Sequence, residues 1–267
     1  MDLQKLFGLD GRIALVTGGS RGIGKMIVEG YLAAGCARVY ISARKVEQIA
    51  EAVADFDRRY PGKVIGIPAD VSSVEECRSL AADLAEREER LDILVNNAGA
   101  AWGEPFETFP ESGWDKVMDV NVKGPFFLTQ ALHGLLKAGG SADQPAKVIN
   151  IGSIDGMRLN PWETYSYHAS KAGILYLTKR LAARLVSDNI IVTAIAPGAF
   201  QSDMNKAARD HGDAVAKGIP TRRIGTPEDM AGAAIYLASN AGNYVVGETI
   251  AVDGGLVHGD LKSSIDA

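Results

Sequence analysis

The stretch Arg12-Ile-Ala-Leu-Val-Thr17 is a short apolar run rich in β-branched residues, and Gly18-Gly-Ser-Arg-Gly-Ile-Gly24 follows it at once. From Lys25 to Ala34 apolar residues recur at helical spacing, and Gly35 ends that pattern. A β-branched apolar run favours a strand, a glycine cluster favours a tight turn, and a 3.6-residue spacing favours a helix. This stretch therefore predicts a strand, a glycine turn and a helix in direct succession.

The same alternation continues along the chain. Further strands are predicted at Arg38–Ser42, Val64–Pro68, Leu91–Val95, Val148–Ile151, Ile190–Ile195 and Thr249–Val252. Further helices are predicted at Val46–Tyr60, Ser73–Arg90, Gly113–Lys137 (with a candidate interruption at Gly124-Pro125), Tyr165–Ser187 and Pro227–Ser239. Strands that are apolar on both faces and alternate with helices predict an α/β fold, in which helices cover both sides of a parallel sheet.

The chain shows no internal repeat, linker or low-complexity tract, so residues 1–267 are expected to form a single domain. Only residues 197–221 break the regular alternation, because this segment is long, has little periodicity and follows a strand end. Segments of this kind often fold over a binding site. We therefore expect a substrate lid at about residues 197–221.

Composition excludes several classes of protein. The 267 residues are 46% hydrophobic and 23% charged, with a formal net charge of -5, which argues against bulk attraction to nucleic acid or an anionic membrane. No apolar run is long enough to span a bilayer, and residues 1–11 lack the apolar core of a signal peptide. Cys36 and Cys77 do not form a disulfide framework, and free thiols favour the cytoplasm. Four scattered histidines lack ligand spacing, so no metal site is expected.

The glycine turn is a candidate nucleotide site. Gly18, Gly22 and Gly24 stand between the first strand and the first helix, where glycine lets the backbone approach a pyrophosphate and the helix N-terminus offers its amides. Three residues separate the first two glycines, whereas the commoner dinucleotide motif has one. A purely structural turn is the alternative, but its place at the first strand–helix junction favours a dinucleotide.

The end of the second predicted strand indicates which dinucleotide the site would bind. A site specific for NAD usually has an acidic residue here for the ribose 2′-hydroxyl, but the sequence reads Ile41-Ser-Ala-Arg44. Arg44 and Arg21, in the glycine turn, could bind a 2′-phosphate, unless they are simply solvated surface side chains. NADP is therefore expected rather than NAD. Asp70, at the end of the third strand, could bind the adenine or could start a helix, and the sequence leaves both roles open.

A second cluster carries the candidate chemistry. Tyr167 and Lys171 are four residues apart, which places them on one face of a helix. A phenol holds its proton until about pH 10, and a neighbouring ammonium would lower that pKa towards the working range of an acid or base. Ser153 follows a predicted strand and could hold a carbonyl oxygen. The same pair alone is also common on protein surfaces, so its role depends on the nucleotide site upstream.

Together these motifs resemble the short-chain dehydrogenase/reductase family. The resemblance covers nearly the whole chain in the family's order. Its motifs here are Thr17–Gly24, Asn96-Asn-Ala-Gly99, Asn121, Ser153, Tyr167-His-Ala-Ser-Lys171, Pro197-Gly198 and Asp253-Gly254-Gly255. Within the family the sequence is most similar to NADPH-dependent 3-oxoacyl (β-ketoacyl) reductases of the rhamnolipid-biosynthesis type. Trp102-Gly103 and Ser112–Met118 carry that closer likeness.

The resemblance implies a Rossmann-like, doubly wound domain with a seven-stranded parallel sheet, usually assembled as a homotetramer. It implies that Tyr167 gives or takes a proton, Lys171 binds the nicotinamide ribose and lowers the phenol pKa, Ser153 holds the substrate carbonyl, and Asn121 anchors a water. The motifs and the arginines together assign the following residues to the cofactor: Gly18, Ser20, Arg21, Gly22, Ile23, Gly24, Arg44, Asp70, Val71, Asn97, Ala98, Gly99, Tyr167, Lys171, Pro197, Gly198 and Ser202.

Two departures from the family pattern affect the substrate site. Ser202 stands where the family often has threonine, so the hydroxyl is kept. The loop between Ser153 and Tyr167 is slightly longer than in many members and changes the substrate wall. Candidate substrate contacts are Trp102, Ser153, Asp155, Trp162 and Phe200.

The expected function is NADPH-dependent reduction of a ketone to a secondary alcohol, with a small-molecule carbonyl such as a 3-oxoacyl thioester as substrate. The first alternative is NAD(P)-dependent oxidation of a polyol, a sugar acid or another secondary alcohol. The remote alternative is a catalytically silent, NADP-binding regulatory protein, against which the intact Ser153, Tyr167 and Lys171 set argues.

Overall fold

The computed structural model describes residues 1–259, and a seven-stranded parallel sheet forms its centre. The strand order is β3-β2-β1-β4-β5-β6-β7, and each strand runs parallel to its neighbours. The strands are β1 (Ile13–Thr17), β2 (Arg38–Ala43), β3 (Val64–Pro68), β4 (Ile93–Asn96), β5 (Ala146–Ile151), β6 (Ile190–Pro197) and β7 (Thr249–Val252). The predicted α/β fold with seven parallel strands is confirmed.

Helices cover both faces of the sheet. They are α1 (Leu3–Phe7), α2 (Gly22–Ala33), α3 (Val46–Asp57), α4 (Val74–Arg87), α5 (Glu111–Met118), α6 (Gly124–Ala131), α7 (His133–Gly139), α8 (Tyr165–Leu185), α9 (Lys206–Asp210), α10 (Gly212–Ala216) and α11 (Pro227–Ala238). One apolar core lies between the sheet and α2, α3 and α11, and a second lies between the sheet and α4, α6 and α8. Strands buried from both sides favour apolar residues, and β1 and β6 are buried at every position and apolar except at Thr17 and Thr193.

Helix α11 begins as the sequence predicts. The Thr226 hydroxyl accepts a hydrogen bond from the Asp229 N–H, the Asp229 carboxylate accepts from the Thr226 N–H, and Pro227 occupies the first turn. This capping box satisfies amides that the first turn of a helix leaves free. By contrast, α1 and the two short helices α9 and α10 of the 197–221 segment are not predicted, because five residues are too few to show a helical period.

The long helix predicted at Gly113–Lys137 is three helices joined by irregular turns. A π-helical turn over Asp119–Lys123 separates α5 from α6, so the chain deviates before Gly124-Pro125 rather than at it. The Gly124 N–H donates to the Asp119 carbonyl five residues earlier, and Pro125 has no N–H to continue the α-helical pattern. Pro125 therefore explains the interruption of the helix, but the irregular backbone lies in the preceding turn, Asp119–Lys123.

Strand order reverses direction between β1 and β4. The chain moves outward from β1 to β2 and β3, then crosses back to β4 on the other side of β1. In an open parallel sheet such a reversal leaves a crevice outside the carboxyl ends of the strands, where ligands bind. No helix among residues 1–259 is both long enough and apolar enough to cross a membrane.

A buried lysine lies at the amino-terminal ends of the strands, opposite the crevice. Lys147 on β5 is 1% exposed, and its Nζ donates to Asn243 Oδ1 at 2.8 Å. Burial, with a smaller contribution from the nearby Arg12 guanidinium, lowers the pKa of Lys147 to about 7. An unfolded chain would hold this proton up to about pH 10.5. Lys147 therefore destabilises the fold at and below neutral pH, where its charge must be buried.

We expect Lys147→Met to raise the free energy of unfolding by about 1–4 kcal/mol below pH 7, because it removes the buried charge. Between pH 7 and pH 10.5 the folded lysine is neutral while the unfolded lysine still binds a proton, so wild-type stability rises with pH there and the advantage of the variant shrinks. Urea unfolding across this pH range measures both effects. Lys179→Met, at an exposed position, is the control. An advantage of Lys147→Met that stays constant with pH would contradict the account.

Candidate functional site

The predicted site residues gather at the carboxyl edge of the sheet. The glycine turn follows β1, Asn97 follows β4, Ser153 lies just beyond β5, and Gly198 follows β6. These segments are far apart in the chain, but β1, β4, β5 and β6 are consecutive neighbours in the sheet. Parallel strands present all their carboxyl ends at one edge, so the turns that follow them form one crevice.

The glycine turn requires glycine at two positions because of its backbone. Gly18 has φ +64° and Gly22 has φ +52°, both in the left-handed region that side chains disfavour. Gly24 is needed for space, because a Cβ there would overlap the Gly18 carbonyl. Asn97 braces the turn: its Nδ2 donates to the carbonyls of Thr17 at 2.8 Å and Gly18 at 3.2 Å. The Ala98 N–H donates to the Thr17 hydroxyl at 2.9 Å.

Helix α2 leaves its first amides free of side-chain caps. Helix α2 has 12 residues, and the Arg21 side chain at its N-cap position makes no capping hydrogen bond. Ser20 is buried in the turn, and Ile23 packs against the core below it. A helix N-terminus with uncapped N–H groups and no Cβ atoms at the adjacent glycines fits a pyrophosphate. The residues present at this turn therefore fit a dinucleotide.

The two candidate phosphate-binding arginines both lie near carboxylates. Arg21 forms an ion pair with Asp203 from the 197–221 segment, and Arg44 Nη1 lies 3.9 Å from Asp70 Oδ2. All four side chains are at least one-third exposed. Exposed ion pairs contribute little free energy, so a phosphate could replace these carboxylates.

Asp70 has a local structural role in this structure. Its Oδ1 accepts from the N–H of Ser72 at 3.1 Å and from the Ser72 hydroxyl at 2.8 Å, just before α4 begins. The N-cap of α4 is Ser73, so Asp70 closes the turn before the helix and does not cap the helix itself. Val71 is buried in the core, and its contact with adenine, like that of Asp70, stays a prediction.

Tyr167 and Lys171 lie on one face of α8, where the lysine is buried and the tyrosine is half-buried. Lys171 is 5% exposed, its Nζ donates to the Ile151 carbonyl at 2.9 Å, and it lies 5.5 Å from the centre of the Tyr167 ring. The Ser153 Oγ accepts from the Asp155 N–H at 3.1 Å. The structure therefore brings together the serine, phenol and ammonium that the sequence singled out.

Burial controls the protonation of this group. It raises the pKa of Tyr167 to about 12; a hydrogen bond with Ser153 lowers that pKa and the Asp155 carboxylate raises it. Burial also lowers the pKa of Lys171 to about 8. The expectation that the ammonium pulls the phenol pKa below its usual value is wrong for the protein alone. The Lys171 Nζ is directed at a backbone carbonyl, and desolvation of the phenolate dominates.

Asn121 lies in the π-helical turn between α5 and α6 and is 2% exposed. Its Oδ1 accepts from the Ala100 N–H at 2.8 Å, while its Nδ2 donates to the Ala100 carbonyl and to Ser170 Oγ, both at 2.9 Å. These contacts join the segment after β4 to α8. Pro125 lacks the N–H that would otherwise reach the Asn121 carbonyl, so that carbonyl is left without its α-helical donor.

The 197–221 segment passes over the glycine turn. Ser202 lies close to Gly22, where an added Cβ would come within 3.2 Å of the serine Cβ. Met204 Cε is 3.6 Å from the position of a Cβ on Gly99. The Ser202 hydroxyl accepts from the Asn205 N–H at 3.1 Å, so within the described residues it is already engaged in a local turn.

Pro197 and Gly198 lie where β6 ends beside β7. Pro197 is buried, and the Gly198 N–H donates to the Val252 carbonyl at 2.9 Å. A Cβ on Gly198 would lie 2.7 Å from the Asp253 Cα, which shows how closely the two strand ends pack. The contact of this turn with a nicotinamide stays a prediction.

The candidate substrate contacts are less closely grouped. Trp102 packs flat on Gly113 of α5, with the Lys116 ammonium 5.2 Å from its ring, and Trp162 is 63% exposed. Asp155 lies beside Ser153 and is half-buried. Phe200 is only 2% exposed and packs in the core against Gly225, so the structure does not bring it to the crevice. Its neighbours in the sequence suggested a lid contact, but the apolar ring is instead buried.

Sequence reasoning missed residues whose partners are distant in the chain. Asp203 binds Arg21 from 182 positions away, and Ser170 holds Asn121. Neither has a local signal, because an exposed aspartate and a helical serine are common everywhere. Only the fold places them against the site.

A braced phosphate-type turn beside a half-buried phenol and a buried ammonium and hydroxyl defines a nucleotide-binding oxidoreductase. The family model described as "Enoyl-(Acyl carrier protein) reductase" matches residues 18–257. The chain belongs to the short-chain dehydrogenase/reductase family.

Curated relatives match over almost their full length. The chain is 49% identical to a rhamnolipids biosynthesis 3-oxoacyl-[acyl-carrier-protein] reductase of Pseudomonas aeruginosa, covering 95% of this chain and 99% of the relative. It is 35% identical to a 2-dehydro-3-deoxy-D-gluconate 5-dehydrogenase of Dickeya dadantii, covering 93% of this chain and 96% of the relative.

Solved structures give the same family. The Pseudomonas aeruginosa RhlG/NADP active-site complex has a TM-score of 0.90 and 47% identity, with 95% of this chain and 99% of that chain covered. A gluconate 5-dehydrogenase from Burkholderia cenocepacia in complex with NADP and tartrate has a TM-score of 0.86 and 34% identity, with 96% and 98% covered. The predicted family, the Rossmann-like fold and the oxidoreductase class are confirmed.

We expect Gly24→Ala to lower the melting temperature by several degrees, because the methyl group would overlap the Gly18 carbonyl and force the turn open. Gly134→Ala is the matched control, since it lies on an exposed helical position with no atom within 4 Å of the added Cβ. That variant should stabilise the protein slightly, by about 0.5–1 kcal/mol. Thermal unfolding of both variants tests the turn; equal behaviour would contradict a steric requirement at Gly24.

Proposed function

We propose that this protein reduces a ketone to a secondary alcohol with NADPH, and that the substrate is a 3-oxoacyl thioester or a similar small-molecule carbonyl. The observation that carries the proposal is the close grouping of Ser153, Tyr167 and Lys171 at the end of β5, one strand from β4 and two from the glycine turn. The 3-oxoacyl reductase of Pseudomonas aeruginosa, at 49% identity, supports this substrate class.

The cofactor proposal rests on the glycine turn and its arginines. The uncapped amides of α2 would hold the pyrophosphate, and Arg21 and Arg44 would bind a 2′-phosphate in place of their exposed carboxylates. When bound, NADPH supplies the hydride that the carbonyl carbon receives. The structures of two relatives, at 47% and 34% identity, are NADP complexes, which supports the choice of coenzyme.

The reaction needs a proton for the carbonyl oxygen, and Tyr167 is placed to give it. With a pKa near 12 the phenol is protonated at neutral pH and can act as a general acid. The Ser153 hydroxyl would hold the same oxygen by a hydrogen bond. Lys171 would stabilise the phenolate that remains, and its Nζ–H could return a proton through water anchored by Asn121.

The alternative direction uses the same groups in reversed roles, because oxidation of an alcohol needs the Tyr167 phenolate as base. Oxidation of a sugar acid or polyol remains the second candidate function because a gluconate 5-dehydrogenase is among the relatives. NADPH consumption with 3-oxoacyl thioesters, compared with NADP reduction by gluconates, separates the two. Coenzyme binding without turnover on every substrate would favour a silent regulatory protein instead.

Three finer points belong to the proposal. Residues 197–221 would act as the substrate lid, a role supported by the positions of Ser202 near Gly22 and Met204 near Gly99. A homotetramer is proposed from the family resemblance. A cytoplasmic location is proposed because Cys36 and Cys77 are both buried free thiols.

Tyr167→Phe should lower kcat for ketone reduction by about 10²–10⁴-fold, because the ring stays and the acid is lost. Tyr165→Phe is the matched control: its hydroxyl, two residues away, donates to Glu163 at 2.7 Å outside the catalytic group. That variant should keep a turnover close to wild type. Steady-state kinetics on one accepted ketone measures both, and wild-type turnover in Tyr167→Phe would remove the phenol from the mechanism.

Arg44→Ala should raise the Kd for NADPH about tenfold and leave the Kd for NADH nearly unchanged, since only NADPH carries the 2′-phosphate. Arg58→Ala, which removes an exposed guanidinium from the end of α3, is the charge-matched control. Fluorescence titration of the reduced coenzymes measures the affinities. An equal loss for both coenzymes would show that Arg44 does not bind the 2′-phosphate.

A further inference from the structure

A buried polar network lies beneath the site, between the sheet and the helices that carry the catalytic side chains. Asn96 on β4 and Asn150 on β5 are adjacent, and the Asn96 Nδ2 donates to the Asn150 Oδ1 at 2.9 Å. The same Asn96 Nδ2 donates to Thr129 Oγ1 on α6 at 3.2 Å. The Asn150 Nδ2 donates to Thr178 Oγ1 on α8 at 2.9 Å. The amide pair therefore connects two strands to two helices.

The two hydroxyls complete the network inside their own helices. Thr129 donates to the Pro125 carbonyl at 2.6 Å, and Thr178 donates to the Ile174 carbonyl at 2.8 Å. The four side chains of the network are 0–4% exposed. Buried polar groups are costly unless they are paired, and paired ones specify a single arrangement where apolar contacts would permit several.

The network lies next to the proposed catalytic group on both β5 and α8. Asn150 directly precedes Ile151, whose carbonyl accepts from Lys171, and Thr178 lies seven residues after Lys171. Seven residues are two helical turns, so Lys171 and Thr178 are on one face of α8. Nearer the site, the Asn121 Nδ2 in the π-helical turn before α6 donates to Ser170 Oγ on α8 at 2.9 Å. Helix α8 is thus tied by hydrogen bonds at two levels.

We infer that Asn150 and Thr178 are positioning residues for the proposed reduction: their hydrogen bond sets the position of α8 along β5 and thereby holds Lys171 and Tyr167 against Ile151 and Ser153. The inference rests on the proposed function, because it needs Tyr167 as the acid. Apolar contacts between a helix and a sheet are not directional. A buried hydrogen bond between an amide and a hydroxyl is directional, so it restricts the position of the helix along the strand.

Thr178→Val tests this inference, because it keeps the shape and removes the hydroxyl. We expect kcat for reduction to fall by about 10–100-fold, since small displacements of a catalytic group have effects of this size. The basic limb of the pH profile of kcat should shift downward, towards the ordinary phenol pKa of about 10, because displacement of α8 relieves the burial that raises the pKa of Tyr167. Thr178→Ser, which keeps the hydroxyl and loses a methyl group, should restore both the rate and the profile. If Thr178→Val does not fold, Thr178→Ala replaces it in the same comparison.

A purely structural role predicts a different result. It would lower the melting temperature of both variants and leave the pH profile of Thr178→Val where the wild type has it, and that outcome overturns the inference. Tyrosinate absorbance gives a second readout without substrate: the Tyr167 titration, isolated by subtraction of Tyr167→Phe, should move in Thr178→Val and not in Thr178→Ser. If the wild type reduces no ketone, the proposed function fails. If the wild type is active and Thr178→Val has the same kcat and pH profile, only the positioning role is contradicted.

Discussion

The shared direction of seven strands is the constraint on which the rest of the structure depends. Because every strand is parallel to its neighbours, the turns after β1, β4, β5 and β6 meet at one edge of the sheet. The reversal of strand order between β1 and β4 opens a crevice at that edge. The glycine turn and the phenol, separated by more than a hundred residues, are neighbours only through this arrangement.

Burial at that edge then decides the chemistry of the side chains. Lys171 and Lys147 are both buried lysines near β5, and desolvation lowers the pKa of each. Lys171 lies at the carboxyl edge, beside a phenol and a backbone carbonyl, where its charge can serve a reaction. Lys147 lies at the amino-terminal end of the strand, where its Nζ donates to the amide oxygen of Asn243. The same physical effect thus acts on both lysines, and only their surroundings differ.

The rim of the crevice is stabilised by exposed ion pairs, whereas its base is stabilised by buried hydrogen bonds. Ion pairs of Arg21 and Arg44 are exposed, and exposed pairs exchange partners at little cost. Beneath them, Asn97 braces the glycine turn and the Asn96–Asn150 pair ties strands to helices with buried hydrogen bonds. A rigid base with an exchangeable charged rim suits the binding and release of an anionic coenzyme.

The sequence by itself determined the α/β class, the glycine turn and the cap of α11, and it predicted Ser153, Tyr167 and Lys171 as the reactive set. Each depends on local periodicity or on residue types at fixed spacing. Only the tertiary structure decided that Phe200 is a core residue, that the helix deviates at Asp119–Lys123 before Pro125, and that Asp203 meets Arg21. It also decided that burial raises the phenol pKa instead of the ammonium lowering it. Desolvation and long-range pairing depend on which atoms surround a group, and neighbours in the chain do not encode that.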